Sequence, residues 1–461
     1  MLTEQSGQQN LNHTLRPSHS LSRASEEHIR KFTSTSRWVR INSKAQDTKI
    51  VFSNLQTHIN VNSLREAFKA LDGTKAVGVD GISKKEYGKN LEENLLNLES
   101  SIHKGTYRPK CKREVLIPKD NGKMRPIAIA CFEDKLVDWV IGKILSNIYE
   151  PLFIRNSFGY RPNKSADGAI KACYYSLFKN KRPYVVEIDF KSFFNTIPHR
   201  KLMRVLSKRI SDRRFKGLIG RFLVASLVNI EGESSLSEVG TPQGSIMSPI
   251  LANIYLNEVL DQWFKENYGS YNNIIVRYAD DGIFFFRKEE DASVFMNKLK
   301  DRVKLYKLEL NSDKTKLMSF NKIDNNHFHF LGFTFYWGKQ GTRKILKLKT
   351  QKERLLKGIQ EFYYWIKKIR NKLKLKEIWS LAKSKITGHI NYFGYQMNGL
   401  KIFHFYKEAT KALFKWLNRR SQKRSYSHEG FLERIKNFPL IKPWKQLELK
   451  QLGWNPYADT R

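Results

Sequence analysis

One run constrains this chain more than any other: Ile274-Ile275-Val276-Arg277-Tyr278-Ala279-Asp280-Asp281-Gly282-Ile283-Phe284-Phe285-Phe286. It is β-branched before the acidic pair and aromatic after it, which predicts two short strands joined by a tight turn. Asp and Gly suit that turn, because both tolerate backbone geometry that bulky residues resist. Two adjacent carboxylates between strands that look buried are costly unless cations neutralise them. Hard oxygen ligands suit magnesium, the ion that handles phosphates. The run therefore predicts phosphoryl transfer.

The charge balance narrows the partner. Lys and Arg number 83 against 44 Asp and Glu, a net charge of +39, and an excess of one sign on this scale points to nucleic acid before membrane. Cys111, Cys131 and Cys173 are far apart and form no CxxC pair, which argues against a disulfide scaffold or zinc site and for a reducing interior. No apolar run approaches a membrane span, and Met1-Leu2-Thr3-Glu4-Gln5-Ser6 does not open a signal peptide. The expectation is a soluble, intracellular nucleic-acid binder with roughly two to four domains.

Residues up to about Ser36 are too polar to bury a core and are expected to be flexible. Leu64, Ala67, Phe68 and Leu71 recur at helical spacing. The glycine-rich stretch from Asp72 to Gly81 then breaks that helix; such a loop can contact phosphates through its amides but alone is more often just a turn. Leu116 to Ile129 predicts a hairpin with Lys119 and Arg125 on opposite strands, where they can reach a triphosphate. Basic residues on hairpins are common, so this signal is weak by itself. Leu136, Val140, Ile144 and Ile148 then mark a helix.

The strand Tyr184-Val185-Val186-Glu187-Ile188 ends in Asp189. On that window alone, metal ligand and helix cap are about equally good readings. Asp280 and Asp281 shift the balance, because polymerases bridge two metal ions with a few aspartates. Val239-Gly240-Thr241-Pro242-Gln243-Gly244-Ser245 is a loop from which Gln243 can bond a base, sugar or phosphate. Ser248 as N-cap and Pro249 at the first helical position are expected to start the next helix. Lys314 can protonate a departing pyrophosphate, although an exposed lysine after a turn is the commoner explanation. Phe330-Leu331-Gly332-Phe333-Thr334-Phe335 is expected to be a strand closing the sheet. Beyond Trp337 long basic helices are expected, with apolar stripes at Leu355, Ile359, Phe362, Ile366, Ile369 and at Ile402, Phe405, Ala409, Ala412, Trp416. The charges beside them, Lys352, Arg354, Lys367, Lys368, Arg370, Lys411, Lys415, Arg419 and Arg420, are nearly all positive and suggest an RNA surface.

In this order the strings resemble the reverse transcriptases encoded by group II introns, from about Leu64 to Trp444. Most specific are Tyr278-Ala279-Asp280-Asp281, Gly240-Thr241-Pro242-Gln243-Gly244, and Asp189 with Phe193-Phe194; Gly122-Lys123-Met124-Arg125-Pro126, Asn311 with Lys314, and Phe330-Leu331-Gly332-Phe333 also match. The resemblance implies an α+β right hand: a flexible extension at 1–50, fingers and palm at 51–336 with a core at about 98–336, a helical thumb and maturase domain at 337–435, and a tail at 436–461. It implies two magnesium ions on Asp189, Asp280, Asp281 and the backbone carbonyl of Phe190. It also implies deoxynucleotide contacts from Lys119, Arg125, Gln243 and Lys314, and Phe194 under the sugar to exclude a 2′-hydroxyl. The implied partners are an RNA template with DNA primer, deoxynucleotides and the intron RNA, with a homodimer left open. The implied place is the cytoplasm, or the nucleoid when on target DNA, or an organelle.

Ser245-Ile246-Met247, Ala128-Ile129-Ala130 and Asn195 depart from the family's usual residues without removing a metal ligand. No cysteine-rich nuclease string follows the thumb, so second-strand cutting is not expected of this chain. Two other readings stay open: a domesticated relative serving phage defence or DNA repair, and a splicing cofactor whose main role is RNA binding.

Overall fold

The computed structural model describes residues 36–118, 124–178, 182–225, 227–228, 234–235, 239–242, 244–269, 272–420, 426–441 and 449–452. Of the flexible extension expected at 1–50, residues 1–35 lie outside these residues, as do Lys119 and the hairpin tip, Gln243, and Lys442 to Trp444 of the tail; Ser36–Ala45, by contrast, is a helix that buries Trp38, Ile41 and Ala45. The chain is α+β. It begins with α1 (Ser36–Ala45), α2 (Val61–Ala70), α3 (Leu91–Lys104), β1 (Lys112–Pro118), β2 (Met124–Ile129), α4 (Phe132–Tyr149), α5 (Ala166–Phe178) and β3 (Tyr184–Ile188). There follow α6 (His199–Ser207), α7 (Arg213–Val224), β4 (Leu227–Val228), β5 (Ser234–Ser235), α8 (Ser248–Leu256), α9 (Gln262–Tyr268), β6 (Ile274–Tyr278), β7 (Asp281–Phe286) and α10 (Glu289–Leu305). The last part has β8 (Lys316–Ser319), β9 (His327–Phe330), β10 (Phe333–Gln340), β11 (Arg343–Thr350), α11 (Lys352–Ile369), α12 (Leu375–Phe393), α13 (Gly399–Leu417) and α14 (His428–Asn437). Two compact units form, one from within Met1–Ser165, Ile188–Phe284 and Ser293–Lys316, the other from within Ala166–Glu187, Phe285–Ala292 and Leu317–Arg461.

In the first unit α4 is the central helix. The sequence marked one stripe on it, but Leu136, Val137, Trp139, Val140, Ile141, Ile144, Leu145 and Ile148 are all buried. A helix apolar on nearly every side must be surrounded, and α1, α2 and α8 pack on it. Local chemistry sets the ends of its neighbours. α2 starts in a capping box, with Ser63 N–H donating to the Asn60 side chain and Asn60 N–H donating to the Ser63 hydroxyl. α3 stops at Gly105, whose φ of 77° favours glycine. β1 and β2 pair antiparallel, with Ile117 opposite Arg125, so the hairpin expectation holds for its strands. The N-cap of α8 is Met247, and Ser248 is already inside the helix, one residue later than its expected role.

A four-stranded sheet has the order β6-β7-β3-β8. The strand expected to close it does not exist as one piece. Leu331 and Gly332 have φ values of 48° and 80°, so the chain reverses there and makes a hairpin of β9 and β10. With β11 these form a separate sheet, and the four-stranded one has β6 and β8 at its edges. Basic helices therefore begin at Lys352, after β11, and not directly after Trp337.

In the second unit α11 packs along α13. Ile402, Phe405, Ala409, Ala412 and Trp416 are all buried, as are Leu355, Phe362 and Ile366. These positions are thus core, each large buried side chain contributing about 1.5–3 kcal/mol, while Ile359 and Ile369 of the first stripe are half-buried. Asp167 on α5 accepts from the Tyr395 hydroxyl at 2.5 Å and pairs with Lys171 at 2.9 Å and Lys450 at 3.5 Å. Burial pushes its carboxyl up, but these donors outweigh burial and hold it below the usual range.

Candidate active site

β6 and β7 are joined at Ala279 and Asp280, where the sequence predicted a tight turn. The residue that bends the backbone is Ala279, at φ 56°, and not the glycine. Gly282 is buried inside β7, where a Cβ would come within 2.9 Å of the Ile188 side chain. That close approach brings together the strand ends bearing Asp189 and Asp281, each one residue from the contact. Asp280 is half-buried and Asp281 is exposed, so only one of the pair meets the burial cost expected for both. All three aspartates belong to the first unit.

Asp189 is held from the segment before β8. The Asn311 amide donates to its carboxylate at 3.1 Å, and the Lys314 ammonium lies 3.3 Å away. Its carbonyl accepts from Asn311 N–H at 2.7 Å, while Lys191 N–H donates to Glu309 at 2.9 Å. These bonds flank a bridge between Phe190 and Leu310 and use the carbonyls of Asp189 and Glu309, not that of Phe190. Asp189 is not the cap that the sequence left open: the N-cap position of the helical turn Phe193–Thr196 is Ser192, which makes no side-chain capping bond.

Arg277, one residue before Tyr278, is fully buried. It pairs in a fork with Asp261, Nε to Oδ1 at 2.8 Å and Nη2 to Oδ2 at 2.5 Å, both side chains being 0 % exposed. Nη1 donates to Asn253 Oδ1 at 2.8 Å and to the Ala279 carbonyl at 2.7 Å. Removing one partner of such a pair strands a buried charge, at a cost of about 3–5 kcal/mol. None of Arg277, Asp261 and Asn253 was a candidate from sequence. The available signal was a lone arginine inside an apolar strand, which requires a buried partner but does not name it.

The loop at 239–247 is tied to the same region. Thr241 N–H donates to the Phe194 carbonyl at 2.6 Å, and Gly240 N–H to the Ile197 carbonyl at 2.8 Å. Phe194 is half-buried and meets Tyr160 edge-on with centroids 6.5 Å apart. Gly244 has φ 112°, and a Cβ on it would come 2.5 Å from the Ala128 carbonyl of β2. Asp138, buried on α4, accepts from the Ser245 hydroxyl and from the N–H groups of Ile246 and Met247 at 2.8–3.1 Å. Burial pushes its carboxyl up. One helix thus anchors the loop whose glycine lies against β2. The backbone of Arg125 is in β2, opposite Ile117.

Six of the nine basic candidates on the second unit fall into two groups. Lys367, Arg370, Lys415 and Arg419 gather around the Trp416 ring at 4.8–5.7 Å. Lys352 and Arg354 sit at the opposite end of α11, which at 1.5 Å per residue is about 20 Å from Lys367. Lys368 is exposed on the same helix, Lys411 pairs with Glu408 at 2.8 Å, and Arg420 donates to the Leu373 carbonyl at 3.0 Å.

Among the described residues no three His, Cys, Asp or Glu side chains converge as a ready ligand cluster. The donor chemistry still fits a hard divalent cation: carboxylate oxygens at neighbouring strand ends, with water able to reach them. A carboxylate at the end of one strand beside a two-aspartate turn on its neighbour is a donor set of the kind that two-metal nucleotidyl transfer uses. The family model for reverse transcriptase (RNA-dependent DNA polymerase) matches residues 117–335. The chain is 33% identical over 301 residues to Protein YkfC of Escherichia coli, covering 56% of this chain and 76% of that one. It is 38% identical over 195 residues to the group II intron-encoded protein LtrA of Lactococcus lactis subsp. cremoris, covering 42% of this chain and 32% of that one. A putative COX1/OXI3 intron 1 protein of Saccharomyces cerevisiae matches at 33% identity, covering 39% of this chain and 21% of that one. The chain belongs to the reverse transcriptases, with group II intron-encoded proteins among its relatives. It is an RNA-directed DNA polymerase whose partners are nucleic acids and whose chemistry is that of a divalent-metal enzyme. It spans about three-quarters of YkfC but a third or less of the two intron proteins. No helix among the described residues is long and apolar enough to cross a membrane.

Proposed function

We propose that this chain copies RNA into DNA for a group II intron, joining deoxynucleotides to a DNA primer at Asp189, Asp280 and Asp281. The carrying observation is the meeting of the β3 and β7 ends at Ile188 and Gly282. Two magnesium ions on the three carboxylates and the Phe190 carbonyl would, when bound, supply Lewis acidity toward the primer hydroxyl and the triphosphate. The chain's own residues orient the substrate. Lys119 and Arg125 grip the triphosphate, Gln243 lines the pocket, and Phe194 lies under the sugar. Lys314, beside Asp189, donates a proton to the leaving pyrophosphate.

The domain reading follows the same resemblance, with fingers and palm up to residue 336 and a thumb and maturase region from 337 whose helices begin at Lys352. The net charge of +39 supports intron RNA as a second partner. Protein that binds its intron to help splicing works where that RNA is made, inside the cell or an organelle.

The test is deoxynucleotide incorporation on an RNA template with a DNA primer. Asp280→Asn is expected to lose nearly all activity while remaining folded. Retained activity removes the carboxylates from the chemistry. Splicing of the flanking intron RNA by the same variant separates the two roles, since RNA binding does not need the carboxylate.

A further inference from the structure

We infer that Arg277 is a positioning residue that sets where the Asp280 and Asp281 carboxylates stand, itself aimed by Asp261 and Asn253. This rests on reading those aspartates as the catalytic pair.

Arg277 is held at both its backbone and its side chain. Its N–H donates to the Asn156 carbonyl at 2.9 Å and its carbonyl accepts from Phe158 N–H at 2.8 Å. Its guanidinium fills the fork of Asp261 with two donors, and Nη1 is left to serve Asn253 and the Ala279 carbonyl. That carbonyl belongs to the peptide unit that leads directly into Asp280. Its orientation, together with φ 56° at Ala279, decides where the Asp280 backbone begins. The planar fork makes this possible; a lysine in its place has one point of charge and cannot hold a carboxylate, an amide and a carbonyl in fixed directions.

The helix opposite is shaped for the purpose. Asn253 and Asp261 are eight residues apart, which on a regular α-helix of 3.6 residues per turn turns them roughly 80° away from each other. Between them, Asn257–Asp261 is a π-helical turn. Its i→i+5 bonds wind less per residue and take up that offset, so both side chains reach one guanidinium. Asn253 also donates to the Gly159 carbonyl at 2.7 Å, and a Cβ on Gly159 would clash with the Ala279 backbone nitrogen. The turn is therefore bounded by Arg277 on one side and by Gly159 on the other, and Asn253 bonds to both. Burying an ion pair is a poor way to gain stability, because apolar replacements of similar volume often do as well. A fixed direction for one carbonyl is what the apolar replacement would not supply.

The experiment measures incorporation on an RNA template with a DNA primer while magnesium is titrated. The variants are Asn253→Ala, which keeps the ion pair, and the double variant Arg277→Met with Asp261→Leu, which removes it without leaving a charge. Misplacement of reacting groups by about an ångström costs on the order of a hundredfold in rate. The double variant is expected to lose roughly ten- to a hundredfold in kcat by that measure. It should need several-fold more magnesium for half its maximal rate and bind template and primer like the wild type. Asn253→Ala is expected to move rate and magnesium requirement in the same direction, by less. The inference is overturned if Asn253→Ala, or the double variant where it folds, keeps the wild-type magnesium requirement, whether or not its rate falls. A wild-type protein without polymerase activity, or an active Asp280→Asn, overturns the reading beneath it instead.

Discussion

The Lys314 ammonium stands 3.3 Å from the Asp189 carboxylate, and the lysine side chain is 66 % exposed. An ion pair open to water contributes less than about 1 kcal/mol to stability. Lys314→Ala is therefore expected to melt like the wild type. If the lysine is the general acid, incorporation falls by roughly a hundredfold, read as a loss in kcat with little change in template binding. An unchanged kcat leaves Lys314 as an exposed lysine after a turn.

Gly244 combines a φ of 112° with a carbonyl 2.5 Å from where a Cβ would lie. An alanine there is strained whatever space is made, at roughly 1–3 kcal/mol. Because Asp138 holds the following residues in place, the strain falls on the loop that carries Gln243. Gly244→Ala is expected to lower the melting temperature and raise the KM for deoxynucleotides. Steady-state kinetics beside a thermal melt checks both.

Asp134 is 1 % exposed on α4 and accepts from the Tyr107 hydroxyl and from Lys110 N–H. Burial, set against those donors, pushes its carboxyl from 3.8 up to about 6. A folded-state value above the unfolded one means stability fully present below about pH 3.8 and lost as the pH rises through about 6. At about 1.4 kcal/mol per pH unit the effect reaches at most about 3 kcal/mol. Asp134→Asn cannot ionise, so its stability relative to the wild type is expected to improve between pH 5 and pH 7 (about one unit either side of the shifted value). Denaturant midpoints at the two pH values measure this, and a constant difference contradicts it.

Phe194 is fixed through its carbonyl to Thr241 and by its ring against Tyr160. If its side chain lies under the sugar, Phe194→Ala opens room for a 2′-hydroxyl. Ribonucleotide incorporation is expected to rise relative to deoxynucleotide by roughly tenfold or more, each 1.4 kcal/mol of lost discrimination being a factor of ten. Competition between the two nucleotides on one primer reads it directly.

Part of the site was legible because it is local. The β-branched and aromatic halves of Ile274 to Phe286 are a strand, a turn and a strand, and β6 and β7 follow that division within a residue. The helical stripes through Phe362 and Phe405 were legible for the same reason, since periodicity records which face is buried. Phe330 to Phe335 was misread because its apolar pattern is that of a strand, while the positive φ at Leu331 depends on the pairing of β9 with β10.

The sequence by itself determined the chemistry on offer: three aspartates, a lysine after a turn, and a polyanion's worth of positive charge. Residue type and short-range pattern carry that information. Only the tertiary structure decided which buried groups meet around the aspartates. Arg277 meets Asp261 across 16 residues and a π turn, and Asp138 meets the loop at Ser245 across 107. A buried charge announces that it needs a partner, but the partner is chosen by where the packed helices bring an acceptor within reach, which no local window of residues contains.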